Sequence, residues 1–205
     1  MHLFEKIFRR NGEHVPQNAV RALEHAPLVN QSKMLALAVA LDLKPMSMIS
    51  STVFKFRSES LVGGSVEITS VMQALGLKCA PSPFMDLDGK EVVSCSEFIV
   101  SKSQERIDLF QRDMTECFRR GLYDAHYHEV FGRAMGFPET SIYAWNHNET
   151  LTNEEHDEFL EPEEREFLFF RLSRQYWKEE MRYIHQLMAG VRKTSPRIYL
   201  DAVQG

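Results

Sequence analysis

Residues 32–57 read SKMLALAVALDLKPMSMISSTVFKFR and contain the change in composition that decides the fold. Over 32–43 the stretch is rich in Ala, Leu and Met on nearly all sides of a helix, which predicts a helix buried in the middle of a domain. Pro45 ends that helix. Over 50–57 the residues are β-branched and aromatic with rough alternation, which predicts a strand. The chain therefore passes here from a helical first part to a part that contains β-structure.

A helix and a hairpin are predicted after this strand. Apolar residues recur at helical spacing over 68–75, and Gly76 can end that helix. Two β-rich runs, 84–87 and 90–100, flank an Asp88-Gly89 pair, which favours a tight hairpin turn. We therefore expect a small antiparallel or mixed sheet at about residues 50–100.

Further helices are predicted on both sides of that sheet. Before it, a helix can start at Pro16, since proline suits the first turn. After it, Ser101 and Gln104 have the spacing of a capping box, which opens a helix that Gly121 can end. Two further helices are predicted over 122–135 and 138–145, and another begins at a Thr152/Glu155 capping box. A last helix is predicted over 162–192, where an acidic start and a basic end suit the helix dipole.

These elements predict one α+β domain over residues 1–205 that is mostly helical. Its N-terminal part, 1–45, and its C-terminal part, 101–195, are helical, and they flank a β-containing middle part over 46–100. A chain of this length can bury enough apolar surface to fold without disulfide or metal staples. No internal repeat or long linker divides it.

Composition and charge limit the cellular location and the classes of binding partner that the sequence predicts. A formal net charge of -5 gives no long-range attraction to phosphate backbones, so nucleic acid is not an expected partner. The three cysteines are widely spaced and form no C-x-x-C pair, which favours a reducing, cytoplasmic location over a disulfide framework. The opening MHLFEKIFRRNG lacks the apolar run of a signal peptide, and no apolar run is long enough for a membrane span. No membrane association is expected.

Residues 124–149, DAHYHEVFGRAMGFPETSIYAWNHNE, contain three of the chain's eight histidines. If 122–135 is a helix, His126 and His128 lie on opposite flanks and cannot share one metal ion between them. Helical spacing does bring Asp124 near His128, and His126 near Glu129. Each pair joins a carboxylate to an imidazole, so Asp124, His126, His128 and Glu129 are candidate catalytic residues for acid–base chemistry.

The same side chains suggest a metal site as an alternative. Asp124 and His128 could supply two ligands to a divalent metal, with His147 or His156 completing the set from elsewhere in the chain. The other interpretation is a solvated helix flank with weak side-chain pairs. The sequence predicts no other cofactor.

Small and aromatic residues in the same stretch form a candidate ligand-binding group. Gly132 and Gly136, four apart, permit the close approach of a second backbone or of a flat ligand. Phe137, Tyr143 and Trp145 follow at the turn and could line a mostly apolar pocket. Close helix packing with a C-terminal cap at Gly136 is the alternative.

A second candidate ligand site lies in the β-containing part. Gly63, Gly64 and Ser65 are predicted between a strand and a helix, where free backbone N–H groups could bind a phosphate or nucleotide. The glycine-rich frames of known nucleotide loops are missing, so a plain loop in which Ser65 caps the helix is the alternative.

The predicted 162–192 helix carries aromatic residues on more than one side, which indicates burial between layers or a homodimer contact. The first functional hypothesis is an intracellular binding or regulatory protein that contacts a protein or a small-molecule partner. The second is an enzyme with a histidine and carboxylate site, or a divalent-metal site, within residues 124–156. The third is phosphate or nucleotide binding at Gly63–Ser65.

Overall fold

The computed structural model describes residues 15–52, 61–85, 91–121 and 125–204, and they form a mostly helical α+β fold, as predicted. The strands are β1 (Met46–Ser50), β2 (Lys78–Met85) and β3 (Glu91–Ser101). The helices are α1 (Gln17–His25), α2 (Asn30–Ala40), α3 (Leu61–Ala74), α4 (Gln104–Arg120), α5 (Ala125–Met135), α6 (Glu139–Asn146), α7 (Asn153–Phe159), α8 (Pro162–Glu166), α9 (Trp177–Thr194) and α10 (Pro196–Gln204).

The three strands form one antiparallel sheet in the order β1-β3-β2. β2 and β3 pair as an antiparallel hairpin, as predicted, but β2 starts at Lys78, six residues before the predicted run 84–87; the predicted Asp88-Gly89 turn lies outside the described residues. The strand predicted over 50–57 begins earlier, because Met46 pairs with Ser101 and the ladder continues to Ser50 opposite Glu97. Its predicted part from residue 53 onward lies outside the described residues.

Helix α2 is buried on most sides, as its apolar sequence predicts. Met34, Leu37 and Ala38 are fully buried, and α2 contacts β1 on one side and α9 and α10 on others. This larger core therefore joins the N-terminal helices to residues near the C-terminus, such as Ile184. A helix without a polar face can only be stable where neighbours cover it all round.

A second, smaller core joins the sheet to α4 and α5. Met46 and Ile99 of the sheet pack against Ile107, Phe110 and Met114 of α4 and against Met135 at the end of α5. The buried residues of α4, which include Ile107, Phe110 and Met114, form its apolar face. Phe137, just after α5, packs against both cores, so it lies at their junction.

The predicted cap of α4 at Ser101 is wrong for an identifiable reason. The cap of α4 is Ser103, whose Oγ accepts a hydrogen bond from the backbone N–H of Arg106 at 3.3 Å. Ser101 is the last residue of β3 and its Oγ donates to the Pro45 carbonyl at 2.8 Å, so it is engaged in the sheet. By contrast, the Thr152/Glu155 capping box of α7 is present as predicted.

The predicted helix over 162–192 is divided. α8 ends at Glu166, residues 167–176 are non-helical, and α9 starts only at Trp177; α10 then extends the helical part beyond residue 195. The backbone of this connecting segment, residues 167–176, bonds to neighbouring elements: the Leu151 N–H donates to the Leu172 carbonyl and the Arg174 N–H to the Glu149 carbonyl. These tertiary hydrogen bonds replace the intrahelical ones. The homodimer contact predicted along 162–192 assumed one continuous helix, and this stretch is instead two helices joined by a non-helical segment.

Within the described ranges, no helix combines the length and the apolar character needed to cross a membrane.

Candidate ligand-binding cavity

A cavity of about 650 Å³ lies between α5, α6, α7, α8 and the connecting segment. Its apolar lining comes from Tyr127, Phe131, Phe137, Ile142, Trp145, Leu168, Phe169 and Phe170. Its polar lining comes from His128, Ser141, Asn153, His156, Asp157, Arg165 and Arg171. The division of the predicted 162–192 helix creates this cavity wall, because the chain turns away from α8 and brings two phenylalanines beside α5 and α6.

The apolar wall is a continuous series of aromatic rings. Tyr127 and Phe131, one helical turn apart on α5, stack with centroids 6.1 Å apart and planes 13° from parallel. Phe131 meets the edge of Phe137 at 5.9 Å, and Phe137 in turn lies 5.8 Å from Phe169 and 5.7 Å from Phe170. Such ring pairs hold one another in place and leave a rigid apolar face toward the cavity.

Lys44 supports this wall from behind. Its Nζ lies 3.2 Å from the centroid of the Phe169 ring and donates to the Met135 carbonyl, the last one of α5, at 3.0 Å. The side chain is 3% exposed, and burial lowers the pKa of Lys44 well below its usual value. Lys44 therefore connects the end of α5 to the connecting segment through one amine.

Gly132 and Gly136 position α5 in this wall and do not line the cavity. A Cβ on Gly132 would lie 2.9 Å from the Ile142 side chain, so the glycine lets α6 pack closely on α5. Gly136 has φ +74°, and a Cβ there would lie 2.5 Å from the Pro45 ring. Both glycines thus permit close packing, the alternative that the sequence left open, and they set the position of Phe137.

The polar side of the cavity contains a buried imidazole. His156 of α7 is 8% exposed, and its Nε2 is buried with no hydrogen-bond partner. Burial lowers the pKa of His156, and the positive charge of Arg171 lowers it further, against smaller opposite effects of Asp157 and Glu155. The imidazole is therefore neutral at pH 7.

The two arginines of the cavity differ in their partners. Arg165 forms an ion pair with Asp157, and both groups are partly exposed. Arg171 donates to the neutral Asn153 side chain, and it has no carboxylate partner within the described part of the chain. One guanidinium at the cavity is therefore not neutralised.

The backbone that carries Arg171 is held firmly. Ser141 on α6 donates its Oγ proton to the Arg171 carbonyl at 2.6 Å. Glu180 of α9, which is 3% exposed, accepts from the backbone N–H of Ser173 at 2.8 Å and from the Thr140 hydroxyl at 2.6 Å. These bonds fix the connecting segment against α6, and they leave the Ser141 hydroxyl occupied as a donor.

Four of the residues proposed from the sequence come together in this cavity: His128, Phe137, Trp145 and His156. The His128 ring lies 4.9 Å from the Trp145 ring, so the imidazole packs against the indole. Tyr143 and His147 do not line it. Their rings stack on each other at 3.9 Å on the exposed side of α6, and His147 Nδ1 lies 2.8 Å from the Tyr143 carbonyl oxygen.

The other candidate catalytic and metal residues are placed differently. Glu129 forms an ion pair with Arg133, and His126 is exposed on α5 outside the cavity lining. Asp124 lies outside the described residues. Among the residues that are described, no three His, Cys, Asp or Glu side chains are grouped as metal ligands, so His128, His147 and His156 do not form a set.

The Gly63–Ser65 prediction needs a correction. These residues lie inside α3, which begins at Leu61, and not in a loop before the helix. Ser65 is therefore not the cap of that helix. The described cavity lining comes from residues 127–171, far along the chain from this stretch.

The part of the cavity lining that comes from the connecting segment was not predicted from the sequence. Phe169, Phe170 and Arg171 were assigned to a continuous helix, in which neighbouring residues point to different sides. The available signal was the density of aromatic residues beside two arginines in REFLFFR, residues 165–171. Comparisons with protein-family models, with curated proteins and with solved structures found no significant match to this chain.

Proposed function

We propose that this protein binds a small, largely apolar organic molecule in the cavity between α5, α6, α7 and the connecting segment. The observation that carries the proposal is the cavity itself, whose volume of about 650 Å³ falls in the range of small-molecule sites. Its aromatic wall with a few polar groups on the other side is the usual composition of such sites.

The exposure of the aromatic residues supports binding over simple core packing. Phe131, Phe137 and Phe169 are only half-buried, whereas Phe167, two residues before Phe169, is fully buried in the larger core. Trp145 is 41% exposed. The fold thus buries Phe167 completely but leaves the nearby rings of the cavity wall partly exposed. A bound ligand would cover the exposed faces of these rings.

A neutral aromatic probe, N-phenyl-1-naphthylamine, tests this proposal. The chain has two tryptophans, and Trp177 packs on Phe159 at 5.5 Å, away from the cavity lining. In a Trp177→Phe background the remaining fluorescence comes from Trp145 in the cavity wall. We expect saturable quenching of that fluorescence and an increase in probe emission as the probe is titrated.

Two further variants, made in the same background, show whether the probe occupies the cavity. Leu168→Phe adds volume at a half-buried lining position, and we expect it to weaken probe binding. Leu200→Phe makes the same change at an exposed leucine of α10, which is not part of the lining, and we expect no effect. Non-saturable quenching, or equal affinity in both variants, would count against the proposal.

The enzyme hypothesis has one supporting observation, the presence of His128 and His156 in the same cavity. Among the described residues that line the cavity, the one carboxylate, Asp157, is paired with Arg165. Binding is therefore the function that the geometry supports best. Its setting in a reducing cytoplasm remains part of the proposal, supported by the wide spacing of the three cysteines, which form no C-x-x-C pair.

A further inference from the structure

The charges around the cavity specify the ligand more closely. Of the two lining arginines, Arg165 is already paired with Asp157. Arg171 bonds only to the neutral Asn153 amide, and the described residues offer it no counter-ion. The lining therefore carries one guanidinium charge, that of Arg171, which no described carboxylate neutralises. A guanidinium has five N–H donors in a planar fork, which suits a carboxylate or a similar planar or tetrahedral anion.

His156 supplies a second, independent observation. Its ring is more than nine-tenths buried, lines the same cavity, and has a buried Nε2 without a hydrogen-bond partner. A buried polar nitrogen that lacks a partner costs about 1–3 kcal/mol, and natural proteins contain few of them. A neutral imidazole protonated at Nε2 can donate that proton to an anionic oxygen, and Arg171 lines the same cavity.

The two groups share a cavity with the aromatic wall formed by Phe131, Phe137 and Phe169. A molecule that satisfies both sides has one charged end and an apolar body. We infer that the ligand is an organic acid with a single negative charge, whose anionic group binds Arg171 and His156 and whose aromatic or alkyl body packs on these rings. This inference rests on the proposed function, because it assumes that the cavity is a binding site.

A matched pair of probes separates the head group from the body. 1-Anilinonaphthalene-8-sulfonate differs from N-phenyl-1-naphthylamine only by its sulfonate, so the ratio of the two affinities reports the anionic contact. Arg171 is exposed, so an Arg171→Gln variant is expected to fold normally. Arg174→Gln is the control, since Arg174 is also exposed, pairs with Glu155, and does not line the cavity.

In the wild-type protein we expect the sulfonate probe to bind about tenfold more tightly than the neutral one, as a charge-assisted contact of about 1.4 kcal/mol predicts. Arg171→Gln should abolish that advantage and leave the neutral probe unchanged, and Arg174→Gln should leave both unchanged. His156→Leu should also reduce the advantage, with folding checked by circular dichroism.

Three results would overturn the inference, and they are distinguishable. If the neutral probe binds but the sulfonate advantage is absent, or persists in Arg171→Gln, the head-group assignment is wrong and the cavity remains a binding site. If neither probe binds in the wild-type protein, the proposed function fails together with this inference. Equal losses in Arg171→Gln and Arg174→Gln would indicate a general surface charge effect, which also contradicts the assignment.

Discussion

Replacing Gly136 with alanine introduces a methyl group where the end of α5 meets Pro45. Two costs follow from the geometry. The residue has φ +74°, where a side chain costs about 1–2 kcal/mol. The new Cβ would also lie 2.5 Å from Pro45 Cδ and 2.9 Å from its Cγ, and a proline ring cannot rotate away. Overpacking of this kind costs about 1–3 kcal/mol. We therefore expect the free energy of unfolding to fall by about 2–5 kcal/mol.

Gly76→Ala provides the matched control. Gly76 has the same φ of +74°, but a Cβ there would meet nothing within 4 Å. It should lose only the backbone part, about 1–2 kcal/mol. Urea denaturation of both variants and the wild type measures the differences in the free energy of unfolding. Because Phe137 follows Gly136 directly, Gly136→Ala should also weaken binding of the neutral probe. Equal losses of stability in the two variants would refute the contact with Pro45 as a constraint on α5.

Three further predictions concern buried polar groups. Burial lowers the pKa of Lys44, so the unfolded chain binds more protons than the folded one, and the free energy of unfolding should rise as pH increases toward 10.5. Urea denaturation at several pH values should show a smaller rise of this free energy in Lys44→Met. Burial and Arg171 lower the pKa of His156, so wild-type stability should fall as pH decreases through 6.5, and His156→Gln should reduce that fall; identical pH profiles would contradict it. Thr140→Val removes a hydrogen bond to the buried Glu180 carboxylate and should cost about 1.5–3 kcal/mol in thermal or urea unfolding; an unchanged stability would show that the contact contributes nothing.

Local signals predicted much of the fold. The Thr152/Glu155 capping box and the all-round apolar α2 depend on neighbouring residues in the chain, and both are present. The α4 cap shows the limit of such signals. Ser101 and Ser103 are equally suitable caps by composition, and the choice depends on the pairing of β3 with β1, which commits Ser101 to the sheet.

The candidate site was predicted only in half for the same reason. His128 and Trp145 were identified because α5 and α6 are contiguous in the sequence and their faces follow from helical spacing. Phe169 and Arg171 were not, because the division of the 162–192 helix depends on hydrogen bonds to Ser141, to residues 149–151 and to Glu180. The bonds to Ser141 and to residues 149–151 join positions 21 to 30 residues apart, which no local pattern predicts.

The hydrogen bonds of the connecting segment also limit where residues can be inserted into the chain. Non-helical connections usually tolerate inserted residues and affinity tags. This one has backbone groups bonded to α6, to the stretch before α7, and to the side chain of Glu180, at fixed positions from residue 171 to residue 174. One extra residue before position 171 would shift all of these bonds out of register and displace Arg171 from the cavity. An insertion scan should therefore tolerate additions here as poorly as additions inside a buried helix.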